Sequence, residues 1–267
     1  MTLQDTNANR YISTRDRSFQ YGDGGFTTIL VKQAKLQLWP FHQQRLLACL
    51  ECLSIDAPNW HDLEQTLNQM ALELEEGGIK VHVSRGQGGR GYSPAMASQA
   101  LITLESFDYP PHYHQWRQSG VQLGVCSKRM GLNPLLAGHK HNNRLEQVLL
   151  RAEMDLAGYQ DGVCLDIHDR IVETTMANLF WVKGRTLYTP KLDYAGVAGV
   201  ARRHILQSAT SLGLTLETGQ FPIDHLADAD EVFITNALIE VAPVIGIAHQ
   251  TYSIGCYSRY FQESFHS

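Results

Sequence analysis

The sequence lacks any run of 18 apolar residues, any apolar stretch behind its polar start, any internal repeat and any excess of basic residues. Without a long apolar run nothing in the chain is suited to cross a bilayer core of ~30 Å, and Met1–Tyr11 does not read as a signal peptide. The cytoplasm is therefore the expected compartment. Lys plus Arg number 22 against 27 Asp plus Glu, a formal charge of −5. Nothing in that balance draws the chain to nucleic acid or anionic lipid, and a small-molecule partner is expected, with no nucleic acid and no membrane. Cysteine is scarce, at Cys49, Cys52, Cys126, Cys164 and Cys256, as suits a compartment where thiols stay reduced. Cys49 and Cys52 form a C-x-x-C, but no second pair or histidine cluster stands at ligand spacing. No metal is expected, and the pair reads as small core residues on an apolar helix.

What the chain does have is apolar content. At 267 residues and 43% apolar it can bury a substantial core and is long enough for two domains. The stretch from Ala137 to Glu153 draws most interest. Leu145, Val148 and Leu149 have the i, i+3, i+4 spacing of a helix packed on a core, and Gly138 punctuates the entry. Lys140 thus sits where a strand or loop hands over to a helix. It reads either as a solvated cation or as a buried amine held against a ligand. The crowding of His141, Asn142, Asn143 and Arg144 beside it favours a site.

In chain order, Gly22-Asp-Gly-Gly25 is a turn and Phe26–Lys32 a strand rich in β-branched and aromatic residues. Pro40 opens a helix through Phe41, Leu46, Leu47, Leu50 and Leu53, with His42 and Arg45 on one side. A second helix is expected over 60–76, closed by Gly77-Gly78, and strands over 79–85 and 100–105. Between those strands Gly86–Tyr92 reads as a loop that lets Arg90 and Tyr92 reach a ligand's carboxylate, since arginine pairs bidentately with that group. The alternatives are a mobile hairpin tip and a nucleic-acid contact, the latter weak in an acidic chain. Adjacent prolines in Ser106–Trp116 mark a linker. The expected organisation is a smaller N-terminal α/β domain over 1–107, a linker over 108–119, and a larger C-terminal domain over 120–267 carrying Lys140. In that second domain strands are expected over 121–126, 162–167, 171–182, 186–189, 231–235 and 239–244, and a helix from Gly199 to Leu212. This is an α/β (α+β) chain with a mixed, largely antiparallel second sheet.

Glu173-Thr-Thr-Met-Ala-Asn-Leu-Phe180, Leu187-Tyr-Thr189 and Val197-Ala-Gly-Val-Ala-Arg202 together resemble the signature of the class IV aminotransferase family, the fold-type IV pyridoxal phosphate enzymes. The resemblance extends over nearly the whole chain. It implies a two-domain, D-amino acid aminotransferase-like fold, pyridoxal 5′-phosphate as cofactor, and a homodimer with sites near the subunit interface. It further implies that Lys140 carries the cofactor and acts as the catalytic base, that Glu173 pairs with the pyridine nitrogen, and that Arg45 binds the phosphate. Val200 and Ala201, at a helix start, and Asn236 and Ala237, in a second turn, complete the implied phosphate site. Transaminases of this fold typically carry threonines at the positions of Ala201 and Ala237, so this chain leans on backbone groups and Asn236. Within the family the chain most resembles lyases, which implies cleavage of 4-amino-4-deoxychorismate to 4-aminobenzoate and pyruvate. Arg90 and Tyr92 are then candidates for the substrate carboxylates, and Thr28 for a hydrogen bond near the reacting centre. A D-amino-acid or branched-chain transaminase remains the alternative on the same lysine and carboxylate. A pyridoxal phosphate carrier without turnover is a third reading.

Overall fold

The β-branched run after Gly22-Asp-Gly becomes the middle of a sheet. In the computed structural model, which describes residues 2–5 and 11–266, the chain divides into two units. One is Met1–Pro110 with His139–Arg144, the other Pro111–Gly138 with Leu145–Ser267.

The first unit contains β1 (Thr2–Asp5), α1 (Arg17–Tyr21), β2 (Gly24–Lys32), β3 (Lys35–Leu36), α2 (Trp39–Cys52), α3 (Trp60–Leu72), β4 (Glu76–Ser84), β5 (Gly88–Arg90), β6 (Ser93–Ala97) and β7 (Leu101–Asp108). Five strands form one sheet in the order β1-β7-β4-β2-β3, and β5 and β6 make a separate hairpin. Alternation sends Ile29, Val31, Ile79 and Val81 to one core with Leu46 and Leu50 of α2 and Leu63 and Leu67 of α3. Asp16 caps α1, accepting from the N–H groups of Ser18 at 2.8 Å and Phe19 at 3.3 Å.

The second unit adds α4 (His112–Ser119), β8 (Val121–Met130), α5 (Leu145–Ala157), β9 (Asp161–Asp166), β10 (Ile171–Thr174), β11 (Asn178–Lys183), β12 (Thr186–Pro190), α6 (Val200–Ser211), β13 (Thr215–Gly219), β14 (Glu231–Asn236), β15 (Glu240–Ile247), β16 (Gln250–Thr251) and α7 (Cys256–Ser264). Its mixed sheet runs β10-β9-β8-β15-β14-β11-β12-β13, with β16 on β15. β11 shows why the sequence there is continuously apolar. Leu179 and Trp181 enter one core while Phe180 and Val182 enter another with Ile205 of α6 and Phe261 of α7, so both faces of the sheet are covered.

Several expectations change. Helix α3 stops at Leu72, and Gly77 and Gly78 lie inside β4, where Gly78 pairs with Phe107 and makes room for its ring. The arginine-glycine segment is part of a hairpin rather than a loop. The expected linker is mostly regular structure, because β7 runs to Asp108 and α4 starts at His112. The strand expected over 171–182 is interrupted after Thr174. There the buried Asp161 carboxylate accepts from Thr174 Oγ1 at 2.6 Å, Thr175 Oγ1 at 2.6 Å and the Thr175 N–H at 3.0 Å, folding a turn. Of the C-x-x-C pair only Cys49 is in the core; Cys52 is exposed. The face of α5 is also different. Leu145, Val148 and Leu149 are 70%, 59% and 50% exposed, whereas Leu150 and Met154 are buried against Cys126, Cys164 and Val172. Two apolar stripes share that helix, and spacing alone does not say which one the chain covers. Finally, His139–Arg144 groups with the first unit, not with the larger unit that flanks it.

Asp161→Ala strips the partner from two buried hydroxyls and should lower stability by ~3 kcal/mol. A urea titration should show a lower midpoint at unchanged slope; an unmoved midpoint removes Asp161 from this role.

Candidate active site

Lys140 is held by its backbone. The Phe26 N–H donates to Lys140 O at 3.0 Å and the Asn142 N–H to Gly24 O at 3.0 Å, so Lys140–Asn142 lies along the start of β2 with His141 opposite Gly25. That approach requires glycine: a Cβ on Gly25 would stand 2.7 Å from Cys49 Sγ and 3.3 Å from Lys140 O. The polar residues after the lysine build its support. Asn142 Nδ2 donates to Ser18 Oγ at 2.7 Å and Val83 O at 3.3 Å, and Asn143 Nδ2 to Gly22 O at 3.1 Å. Arg144 braces both flanks of the lysine, with Nε on His141 O at 2.8 Å and Nη2 on His139 O at 3.2 Å. Lys140 Nζ lies 4.6 Å from the centre of the Phe26 ring.

Residues 26 and 28 share one face of β2, so Thr28 stands on the same side as Phe26, and Thr27 points the other way to α2. Thr27 is the threonine that touches Arg45, accepting from Nη2 at 2.6 Å, and it also lies 2.6 Å from His42 Nδ1. Sequence reasoning misses Thr27 because strand alternation alone does not say which of two adjacent threonines faces the helix. Arg45 Nε is buried with no hydrogen-bond partner among the described residues. Burial brings the Arg45 pKa down to about 10, so it remains a cation at neutral pH. Burial, then the charges of Arg45 and Lys140, hold His42 well below its ordinary range. Burial, then Arg144 and His139, lower His141 to about 4.

In the second unit Glu173 is buried, not an exposed strand carboxylate. Its Oε2 accepts from the Val197 N–H at 2.9 Å and Asn178 Nδ2 at 3.4 Å. Asn178, which the sequence analysis does not single out, ties the arrangement together. Its Nδ2 donates to Val197 O at 2.8 Å and its Oδ1 accepts the Gly199 N–H at 3.2 Å. A polar residue opening the apolar run Asn178–Val182 was the available signal. Helix α6 starts at Val200 from an extended Gly199, and no side chain caps it. The first N–H groups, including those of Val200 and Ala201, therefore face outward along the helix dipole. Arg202 in the same turn donates from Nη2 to Pro190 O at 3.0 Å, while its Nε is buried without a partner among the described residues. Asn236 is used differently from expectation. Its Oδ1 accepts from the N–H groups of Leu238 at 2.9 Å and Ile239 at 2.8 Å, and its Nδ2 donates to Met176 O at 3.3 Å. The side chain shapes the turn containing Ala237.

Arg90 and Tyr92 stand exposed at the turn of the β5–β6 hairpin, Tyr92 at 88% and edge-on to Tyr21 at 5.5 Å. Within the first unit, then, the structure groups Lys140 with Phe26, and Arg45 with Thr27 and His42, while Arg90 and Tyr92 form a separate exposed tip. Chemically the parts comprise an amine on a rigid support, a buried carboxylate fixed by amide donors, and two features suited to an anion. Those features are Arg45 in one unit and the α6 start with Arg202 in the other; each arginine has a buried Nε with no partner, as a phosphate ligand would complete.

The sequence matches the model of the amino-transferase class IV family over residues 24–247. It is 48% identical over 238 residues to aminodeoxychorismate lyase of Vibrio harveyi, covering 89% of this chain and 88% of that protein. The fold is similar to the crystal structure of 4-amino-4-deoxychorismate lyase from Pseudomonas aeruginosa, with a TM-score of 0.88 and 39% identity over 95% of this chain and 93% of that one. Branched-chain amino acid aminotransferase of Escherichia coli shares the fold at a TM-score of 0.85 and 21% identity, covering 97% and 90% of the two chains.

Histidines held neutral in the fold give stability that is present above the ordinary 6.5 and lost as pH falls toward their folded values, because the unfolded chain then takes up more protons. The urea midpoint should fall between pH 6.5 and about 4. Replacing both His42→Asn and His141→Asn should flatten that decline, and an equally steep profile in the double variant would show that other groups cause it.

Proposed function

Since the chain belongs to the class IV aminotransferase family of pyridoxal 5′-phosphate enzymes, we propose that it is the lyase converting 4-amino-4-deoxychorismate to 4-aminobenzoate and pyruvate. The observation that carries this reading is the 48% identity, over 89% of the chain, to a protein of that name; a D-alanine aminotransferase and a branched-chain aminotransferase relative are each 27% identical.

The residues fit the cofactor. Lys140 would carry it, Glu173 would hold the proton of its ring nitrogen, and its phosphate would take Arg45, the N–H groups of Val200 and Ala201, and the Asn236-Ala237 turn. The unpartnered Nε atoms of Arg45 and Arg202 support the phosphate assignment. When bound, the cofactor supplies an electron-withdrawing ring that stabilises negative charge at the substrate carbon bearing the amine. Lys140 removes the proton from that carbon as a neutral amine. Its backbone clamp keeps Nζ at the end of one defined tether, which raises effective concentration. The C–H electrons form the double bond that makes the ring aromatic, the ether carbon–oxygen bond breaks, and the group leaves as enolpyruvate, which takes up a proton on its methylene carbon to become pyruvate. Glu173 keeps its charge aimed in one direction because the Val197 N–H and Asn178 fix its Oε2. Thr28, on the Phe26 side of β2, is the hydrogen-bonding group we assign near the reacting carbon. Arg90 and Tyr92 receive the substrate's carboxylates.

The working form is a homodimer in the cytoplasm. Exposed Leu145, Val148 and Leu149 on α5 support a second copy, since an apolar stripe of this kind is commonly an interface. None of the helices among the described residues is long and apolar enough to cross a membrane.

Aminodeoxychorismate alone should give many turnovers of pyruvate and 4-aminobenzoate, read by coupling pyruvate to lactate dehydrogenase, with no keto acid added. A transaminase would stop after one turnover and resume only with a keto acid, which would replace this reading. Glu173→Gln should retain cofactor yet slow turnover by ~100-fold, because a neutral amide no longer holds the ring nitrogen's proton. Near-normal rates in that variant would remove Glu173 from its role.

A further inference from the structure

Arg17 is 3% exposed, and its side-chain hydrogen bonds reach one carboxylate and the backbone of one hairpin. Nε donates to Asp23 Oδ2 at 2.8 Å. Nη1 lies 3.3 Å from Gly88 O, 3.1 Å from Gly91 O and 3.3 Å from Ser93 O, and Nη2 donates to Tyr92 O at 3.0 Å. Four carbonyls of the turn that bears Arg90 and Tyr92 thus converge on one guanidinium.

Toward its tip the hairpin has few other bonds. Its ladder pairs Gly88 with Ala97 and Arg90 with Ser93, with an irregularity between them, and at its base the Ser98 N–H donates to Gln87 O at 2.6 Å and the Gln87 N–H to Ser98 Oγ at 2.9 Å. Its residues are mostly exposed, so no apolar core backs it, and a two-stranded hairpin without one is marginal in water. Arg17 takes the place of that core. The base is stapled to the same helix, since the Arg17 N–H donates to Gly86 O at 2.9 Å and Asp16 Oδ1 accepts from Ser84 Oγ at 2.7 Å. The guanidinium also lies 5.0 Å from the centre of the Tyr21 ring, whose edge-on partner is Tyr92. Asp23, held by Arg17 and Arg85 together, fixes the guanidinium from behind. Gly89 has φ +78, and a Cβ there would stand 2.4 Å from Ser93 O across the hairpin and 2.9 Å from Arg17 Nη1, so the hairpin closes over the arginine only with glycine at that position.

We propose that Arg17 is a positioning residue for substrate recognition, setting the shape of the hairpin so that Arg90 and Tyr92 meet a dicarboxylate in one geometry. This rests on the reading above that the hairpin binds substrate. The planar fork of arginine serves several carbonyls at once, which the point charge of lysine does not.

The test uses the holoenzyme, with Arg17→Lys and Gly89→Ala disturbing the clamp from its two sides. In both, trypsin should cut after Arg90 at least ~10-fold faster than in the unaltered enzyme, as mass spectrometry of the fragments shows, because a loosened turn opens more often. The KM for aminodeoxychorismate should rise roughly tenfold with kcat within about twofold, and cofactor absorbance should be unchanged. Wild-type cleavage rates in both variants, or a fall in kcat at constant KM, would overturn the proposal. Arg90→Ala in the same assay keeps the two readings apart. If it raises KM while Arg17→Lys and Gly89→Ala do not, the positioning role fails and the hairpin reading stands. An unmoved KM in Arg90→Ala ends the hairpin reading, and the proposal with it.

Discussion

The backbone pairing of Lys140–Asn142 with Gly24–Phe26 is the constraint on which the rest of the first unit's arrangement depends. Two hydrogen bonds of 3.0 Å bring a segment from the middle of the chain against the strand near its beginning. Gly24 and Gly25 are needed for the approach, Asn142 and Asn143 satisfy the carbonyls of Val83 and Gly22, and Arg144 ties off the carbonyls of His139 and His141. A lysine used in catalysis has to return its amine to the same point in each cycle, and a flexible tether does so only from a fixed backbone. The cluster of polar residues after Lys140 is a support built of backbone-directed side chains.

The second unit solves a related problem with different parts. A buried carboxylate is costly unless donors surround it, and Glu173 receives the Val197 N–H and the Asn178 amide. Asn178 then reaches the Gly199 N–H, so one side chain fixes both the carboxylate and the entry to α6. The covered two-faced sheet around Phe180 and Phe233, stacked at 5.3 Å, gives those polar groups a rigid base. The same economy appears at Asp161, where a carboxylate ends one strand and allows the next to begin with Asn178.

In the proposed phosphate site, backbone groups would stand where transaminases of this fold are expected to use threonine hydroxyls. Ala201 and Ala237 offer only N–H groups, and Asn236 spends its amide on the turn. The charge that such anion binding needs would then come from Arg45 and Arg202, whose buried Nε atoms have no partner among the described residues. Burial leaves Arg45 a cation and keeps neighbouring His42 neutral, so positive charge stays on the group with the geometry to use it.

By itself the sequence determined the class of fold, and it singled out the lysine, the carboxylate and the helix start as the site candidates. Each is written locally: Phe26–Lys32 in β-branched residues, α2 in helical spacing behind Pro40, and the family signature in the spacing of Glu173, Leu187 and Val197. Tertiary structure alone decided which side of each element matters. Leu145, Val148 and Leu149 have core spacing but lie outward, because Leu150 and Met154 supply a second stripe and only the packed sheet selects between them. Thr27 rather than Thr28 meets Arg45 because strand alternation gives two faces and only the position of α2 tells them apart. Arg17 and Asp161 could not be found by pattern, since their partners are mainly backbone groups and hydroxyls brought near by folding. Hydrogen bonds to the main chain leave no signature in the identity of the residue that accepts them, and so the clamps of this protein became visible only once the chain had closed around them.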